Sequence, residues 1–279
     1  IISNFSFGLV LFTILLQLLM LFDDLWGLKA ITRLAIQSIC TGGLIYFSGI
    51  YIESLGNLLG FGEITLGSWG IPFTIFCVVG IMNAFNMIDG INGLCSGCAM
   101  LALLLIGFYS GLIYDSMLVL IIGSMIGFLM FNLRLFGKKR GVFLGDSGSN
   151  LIGFWVAWSA IYASQNEPYD VEPITMLWFV AIPLLDCVAL IFFRLKKGIS
   201  LAAAGRDHIH HKLMKNFSPE GTLFIILVIT LVTGLFGIYI ENNSTPSISL
   251  LLFITYASIY FTIANYFDED TKTITKKDV

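Results

Sequence analysis

Apolar runs of about 17 to 20 residues recur from one end of the chain to the other, with short polar segments between them. Each run is long enough to cross a bilayer as a helix. Nine spans are expected, at roughly 4–22, 34–52, 71–87, 95–113, 117–133, 149–165, 174–193, 221–240 and 248–266. The fold class this predicts is all-α, a polytopic integral membrane helical bundle forming a single domain over residues 1–279. The connecting segments alternate between two sides. One set is 23–33, 88–94, 134–148, 194–220 and the tail after 267; the other is 53–70, 114–116, 166–173 and 241–247.

Composition agrees with a membrane protein. Of 279 residues, 57% are hydrophobic and 12% charged, with mean hydropathy +0.89; a soluble domain carries about twice that charged fraction. Ile1 to Phe22 has neither a basic leading region nor a small-residue cleavage site, so it does not read as a signal peptide. The first residue is not Met and a span begins within four residues, so the true N-terminus is expected to lie upstream. The five Cys fall in or beside apolar segments, and Cys95-x-x-Cys98 reads as small residues packing a helix, with no second Cys or His pair nearby.

Charge adds direction. All 15 Lys and Arg fall in the first set of connections, whereas the second carries only acids, among them Glu53, Glu63, Asp115 and Glu241. Short loops rich in Lys and Arg stay in the cytoplasm, so the first set is cytoplasmic and the first visible span runs inward.

The unusual polar residues fall on that same side. Asp23 and Asp24 open the first cytoplasmic loop. "NAFNMIDGING" places Asn83, Asn86, Asp89 and Asn92 at the end of the third span. "FLGDSGSN" ends the third loop with Asp146, Ser147, Ser149 and Asn150. "GRDHIHHK" holds Arg206 and all three His, His208, His210 and His211. Singly, each has an ordinary reading: a solvated loop start, a turn with a helix cap, an N-cap, a topology anchor at Lys138-Lys139-Arg140. Three His without a well-spaced carboxylate make a weak zinc site. The side was assigned from Lys and Arg alone, so four clusters landing on it points to chemistry.

Asp23, Asp24, Asp89 and Asp146 would repel one another if they converged. A hard divalent cation relieves that, and Mg²⁺ favours one or two carboxylates with amide oxygens, water and substrate phosphates. The basic, His-rich loop supplies donors for a phosphorylated ligand. Gly145 and Gly148 allow close backbone approach beside Asp146, and a helix expected to start after Ser147 would turn free N–H groups toward an anion. Metal, phosphates and membrane together suggest phosphoryl transfer to or from a lipid, driven by positioning and charge neutralisation.

"NAFNMIDGINGL", "VFLGDSGSNLIGF", "AIPLLDCVALIFFRLKKGIS" and "GRDHIHHKL" closely resemble the bacterial polyprenyl-phosphate N-acetylhexosamine-1-phosphate transferases, in order and with similar spacing from Leu21 to about Leu213. The resemblance is closest to members that use UDP-GlcNAc and start enterobacterial common antigen and O-antigens. It implies that UDP-GlcNAc and undecaprenyl phosphate give undecaprenyl-diphospho-GlcNAc and UMP, with Mg²⁺ or Mn²⁺, at the cytoplasmic face of the bacterial inner membrane. Carried over residue by residue, it implies that Asp23 and Asp24 handle the lipid phosphate, as base or as nucleophile of a two-step version. A phosphate monoester with a second pKa near ~6 needs little help, which favours direct in-line attack. Asn86 and Asp146 would hold the metal. Asn83 and Asp89 would line the nucleotide or metal side, Asp89 in a catalytic role. Arg206, His208, His210 and His211 would grip the diphosphate and stabilise departing UMP. Asp186 matches the Asp of an "IPLxD" stretch and is expected among the substrate-binding residues, since an ionisable group at that depth is a functional candidate.

Two features depart from the family. Asn92 stands where the family's bacterial members usually carry Asp, so residue 92 is not expected to be a metal ligand. The family's ten or eleven spans imply that about two are missing before residue 1. Another UDP-N-acetylhexosamine remains an alternative donor, and a homo-oligomer is left open. An ion-coupled transporter using Asp186 and the Asn/Asp cluster is the rival from another class, but the polar groups crowd one face and no inverted repeat is visible. Nucleic-acid binding is not supported, because the basic residues sit in short loops against the membrane.

Overall fold

The computed structural model describes residues 4–169, 171–200 and 207–275. Among these, eleven α-helices and no strand occur: α1 Asn4–Trp26, α2 Ala30–Ser48, α3 Gly70–Ile88, α4 Leu94–Ser110, α5 Ser116–Asn132, α6 Gly145–Gln165, α7 Pro173–Phe179, α8 Ala181–Lys197, α9 Ile209–Leu213, α10 Pro219–Asn243 and α11 Pro246–Thr275. Five helices, or six counting α7 with α8, are long and apolar enough to cross a membrane, and α4 and α5 are shorter apolar helices. Each expected span coincides with a helix except the seventh.

That span is broken. α7 and α8 meet at 82°, with Val180 between them at φ −112, ψ 14. Pro183 explains the position. It has no N–H to continue the ladder, and its ring clashes with the carbonyl four residues back, which belongs to Phe179, the last residue of α7.

Two expected boundaries also move. Asp23 and Asp24 do not open a loop: α1 runs on through Trp26, so both lie in its last turns, and only residues 27–29 separate it from α2. α6 starts at Gly145 rather than after Ser147, which puts Asp146 in its first turn.

α3 and α6 form the tightest pair at the centre. A Cβ on Gly153 would lie 2.6 Å from the Cα of Met82. Lipid provides no hydrophobic drive between helices, so small residues that let backbones approach become the packing device. Phe85, Phe154 and Trp158 are fully buried around this contact. α1 joins α6 through Trp155 Nε1, which donates to Thr13 Oγ1 at 2.9 Å, and α7 joins α11 through Trp178 Nε1, which donates to Ser249 Oγ at 3.0 Å. Large apolar side chains such as Ile14, Leu18, Phe76, Phe224 and Leu251 point outward, as expected of a multi-pass membrane protein whose surroundings are hydrocarbon.

Candidate active site

The alternation of helix directions brings the C-terminal ends of α1 and α3 beside the N-terminal ends of α2 and α6, on the Lys- and Arg-rich side. Arg33, in the first turn of α2, sits between two of the acids. Its Nη1 donates to Asp146 Oδ2 at 2.8 Å and lies 3.5 Å from Asp23 Oδ2. Asp23 is buried, and its Oδ1 accepts the Leu28 N–H at 2.7 Å. Asp24 is exposed, and its Oδ2 accepts the Ser147 hydroxyl at 2.5 Å. The adjacent acids thus differ: one is fixed in the protein, the other faces out.

One turn along α2, Gln37 extends the row inward. Its Nε2 donates to Asn150 Oδ1 at 2.5 Å, and its Oε1 accepts from Asn83 Nδ2 at 2.9 Å. Asn86 Nδ2 donates to Ser149 Oγ at 2.9 Å, which leaves the carboxamide oxygen of Asn86 available. The polar residues at the end of α3 therefore satisfy one another across α2 and α6 rather than facing lipid.

Asp89 caps the C-terminal end of α3. Burial, reinforced by the negative charge of Asp146, pushes its carboxyl up to about 6. A carboxylate destabilised by a second carboxylate is where a cation would be held. No group of three His, Cys, Asp or Glu arranged for a metal occurs among the described residues. Asp146, Asp89 and the free Asn86 oxygen are nonetheless hard oxygen donors of the kind Mg²⁺ takes alongside water and substrate oxygens.

The three histidines pack ring against ring. His208 lies parallel to His210, with 5.5 Å between centroids, and His210 is 4.2 Å from His211. His210 is almost fully buried with neither ring nitrogen hydrogen-bonded, and its Nε2 fills the space a Cβ on Gly90 would need. Burial first, then the neighbouring histidines, push it down to about 4, so it is a neutral wedge between the "DGING" turn and the His segment. Gly90→Ala is expected to displace His210 and unseat that segment, at about 1–3 kcal/mol as in other overpacked sites. Faster amide hydrogen exchange at residues 207–213 checks this, and unchanged exchange would mean the turn and the segment are not coupled.

His208 Nδ1 lies 2.7 Å from Asp186 Oδ2, and the Ile209 N–H donates to Asp186 Oδ1 at 2.9 Å. Asp186, expected to bind substrate, is buried with both oxygens engaged by the protein. Arg206 lies outside the described residues. Asn92, partly buried, follows the turn.

The residue types alone did not mark Gln37 or Asn132 as parts of this arrangement. Asn132, at the end of α5, accepts the Gly93 N–H on Oδ1 at 2.6 Å and donates from Nδ2 to the Val142 carbonyl at 2.9 Å, which ties the loop after Asp89 to the loop before Asp146. A buried Asn ending an apolar helix, beside a Gly-rich turn, is the signal that could have found it.

A family model described as glycosyl transferase family 4 matches residues 6–164. The undecaprenyl-phosphate alpha-N-acetylglucosaminyl 1-phosphate transferase of Escherichia coli K12 is 33% identical over 245 residues, covering 85% of this chain and 67% of that protein. The protein of the same name from Haemophilus influenzae is 37% identical over 240 residues, covering 82% and 67%. That from Yersinia pestis is 34% identical over 228 residues, covering 79% and 62%. With its acids, amides and histidines gathered at one end of a membrane helical bundle, and with these relatives, the chain belongs to glycosyl transferase family 4.

Proposed function

We propose that the chain transfers GlcNAc-1-phosphate from UDP-GlcNAc to undecaprenyl phosphate and releases UMP, at the cytoplasmic face of the bacterial inner membrane. The observation that carries this reading is the cluster in which Arg33 holds Asp23 and Asp146 beside Asp24, Asn86 and Asp89. The relatives' shared name supports the substrates, and the placement of all Lys and Arg supports the side.

An oxygen of the lipid phosphate attacks the phosphorus that bears the sugar. The bond from that phosphorus to the bridging oxygen breaks, and its electron pair leaves with UMP. Asp24, exposed at the end of α1, meets the lipid phosphate, whereas Asp23 is buried, with Oδ1 taken by the Leu28 N–H and Oδ2 turned to Arg33 at 3.5 Å, and is poorly placed to act as a nucleophile. This favours direct transfer. Asp146 and Asn86 would hold Mg²⁺, with Mn²⁺ as a substitute, and Asp89 would add negative charge beside them. When bound, the ion supplies charge neutralisation on the diphosphate. Asn83 lines the nucleotide side. His208 and His211, with buried His210 packed against both rings, would stabilise the departing phosphate, and Arg206 is assigned the same task from its place in the sequence alone.

Asp89 gives this a pH signature. Its carboxyl titrates near 6 in the folded chain, so it carries a proton below that pH and a charge above it. Divalent-cation affinity is expected to weaken about tenfold per pH unit below 6, with one proton released per ion bound. Mn²⁺ titrations followed by electron paramagnetic resonance at pH 5, 6 and 7 check this, and a flat affinity would remove Asp89 from the cation's neighbourhood.

The function is tested with the full-length protein in membranes given undecaprenyl phosphate, Mg²⁺ and UDP-GlcNAc. UMP release and a lipid-linked sugar that need both lipid and metal are expected. Turnover with another UDP-sugar alone would keep the mechanism and change the donor. No UMP from any UDP-sugar would end the transferase reading.

A further inference from the structure

The last helix, α11, extends beyond the sequence motifs that mark the family, yet it reaches the site. Tyr260 Oη donates to Asp186 Oδ1 at 3.1 Å, the same oxygen that accepts the Ile209 N–H. One turn further on, on the same face of α11, the Ala264 carbonyl accepts Lys212 Nζ at 2.8 Å. The two contacts bracket the His segment, one through α8 and one directly. Neither belongs to the carboxylate cluster around Arg33.

The chemistry of the triad is directional. An ionised carboxylate only accepts, so Asp186 Oδ2 at 2.7 Å requires the proton of His208 to sit on Nδ1. Nε2 is then the nitrogen that can take or give a proton at the substrate. Asp186 holds that orientation only if its own plane is fixed, and the Tyr260 hydroxyl and the Ile209 N–H fix it by sharing Oδ1. Carboxylates that orient a working histidine in this way are worth about 10- to 100-fold in activity at metal sites.

We propose that Asp186 and Tyr260 are positioning residues for His208. Asp186 sets its tautomer, and Tyr260, from the last span, holds Asp186. This rests on the reading of the site as a phosphoryl-transfer centre, and it gives α11 a part in turnover beyond anchoring the bundle.

The test uses the full-length protein in lipid nanodiscs. Asp186→Asn is expected to lower kcat about 10²-fold. Tyr260→Phe, which removes one hydroxyl and keeps the ring packing, is expected to lower it about tenfold with KM for UDP-GlcNAc within about twofold, at the lower end of the scale for one hydrogen bond to a charged group. In a His208→Ala background both changes should add less than about twofold, because they act through that ring. Losses that multiply in that background would overturn the proposal and leave a structural role. A second arm needs no activity. With ¹⁵N-labelled histidine, His208 should read as the Nδ1–H tautomer in the parent and as a mixture in Asp186→Asn and Tyr260→Phe. Unchanged ring signals in both variants would overturn the proposal even if the enzyme is active. An inactive parent would sink the transferase reading alone, with the ¹⁵N arm still deciding the positioning.

Discussion

Asp146→Asn is expected to cut lipid-dependent UMP release by about 10³-fold while leaving the protein folded in the membrane. The substitution keeps shape and keeps an oxygen for Arg33, which now lies 2.8 Å from Asp146 Oδ2. What it removes is the charge. Asp146 is exposed in the first turn of α6, where its carboxylate can reach a ligand, and it is also the charge that helps raise Asp89. Losing one preorganised electrostatic group at a reacting centre costs about 10²–10³ in rate, and a group serving both cation and substrate belongs at the upper end. UMP and lipid-linked product are measured together, with size-exclusion profiles as the check on folding. A variant that kept more than a tenth of the parent rate would take Asp146 out of the machinery.

Arg33→Ala is expected to cost about 10²-fold, although no substrate atom need touch Arg33. Asp23 is buried, its Oδ2 has no hydrogen-bond partner, and among the described residues the guanidinium is what compensates it. Removing one member of such a pair leaves an uncompensated charge, which is far worse than removing both. Arg33→Lys should fall between, because it keeps the charge on a shorter, more mobile stem that need not place it where Arg33 Nη1 now lies between the two carboxylates. The discriminating measurement is the double variant Arg33→Ala with Asp23→Asn, which should recover about tenfold over Arg33→Ala alone. No recovery would mean that Arg33 acts on substrate and not as the counter-charge of Asp23.

The membrane class and the shared face of the polar clusters were legible in the sequence because both depend on local signals. Runs of apolar residues set span length, and Lys and Arg set sides. The break at Val180 was also legible in principle, since Pro183 sits where it must interrupt a helix, but the apolar run from 174 to 193 outweighed it. The end of α1 was misplaced for a related reason: two acids read as a loop, whereas helix ends carry polar residues readily when other helix ends surround them. The partners were not legible. Arg33 meets Asp146 and Gln37 meets Asn150 at a separation of 113 residues, and Ser147 meets Asp24 at 123. No periodicity encodes such pairs. Nor could the sequence separate the roles of neighbouring residues: Asp23 and Asp24, or His208 and His210, look equivalent as letters and differ only in burial and in what they touch.

One carboxamide bears on how tightly a ligand can be held. Asn132 fastens the turn that follows Asp89 to the loop that leads into Asp146, so the spacing of these two acids is set by the folded chain and not by whatever binds between them. Loops that must first be ordered subtract that ordering from affinity, roughly 0.5–1.5 kcal/mol for each side chain immobilised. Here the ordering is completed during folding. An ion and diphosphate bound as proposed would meet two acids whose loops are already joined through Asn132, and the repulsion between those acids would become part of the attraction for the cation.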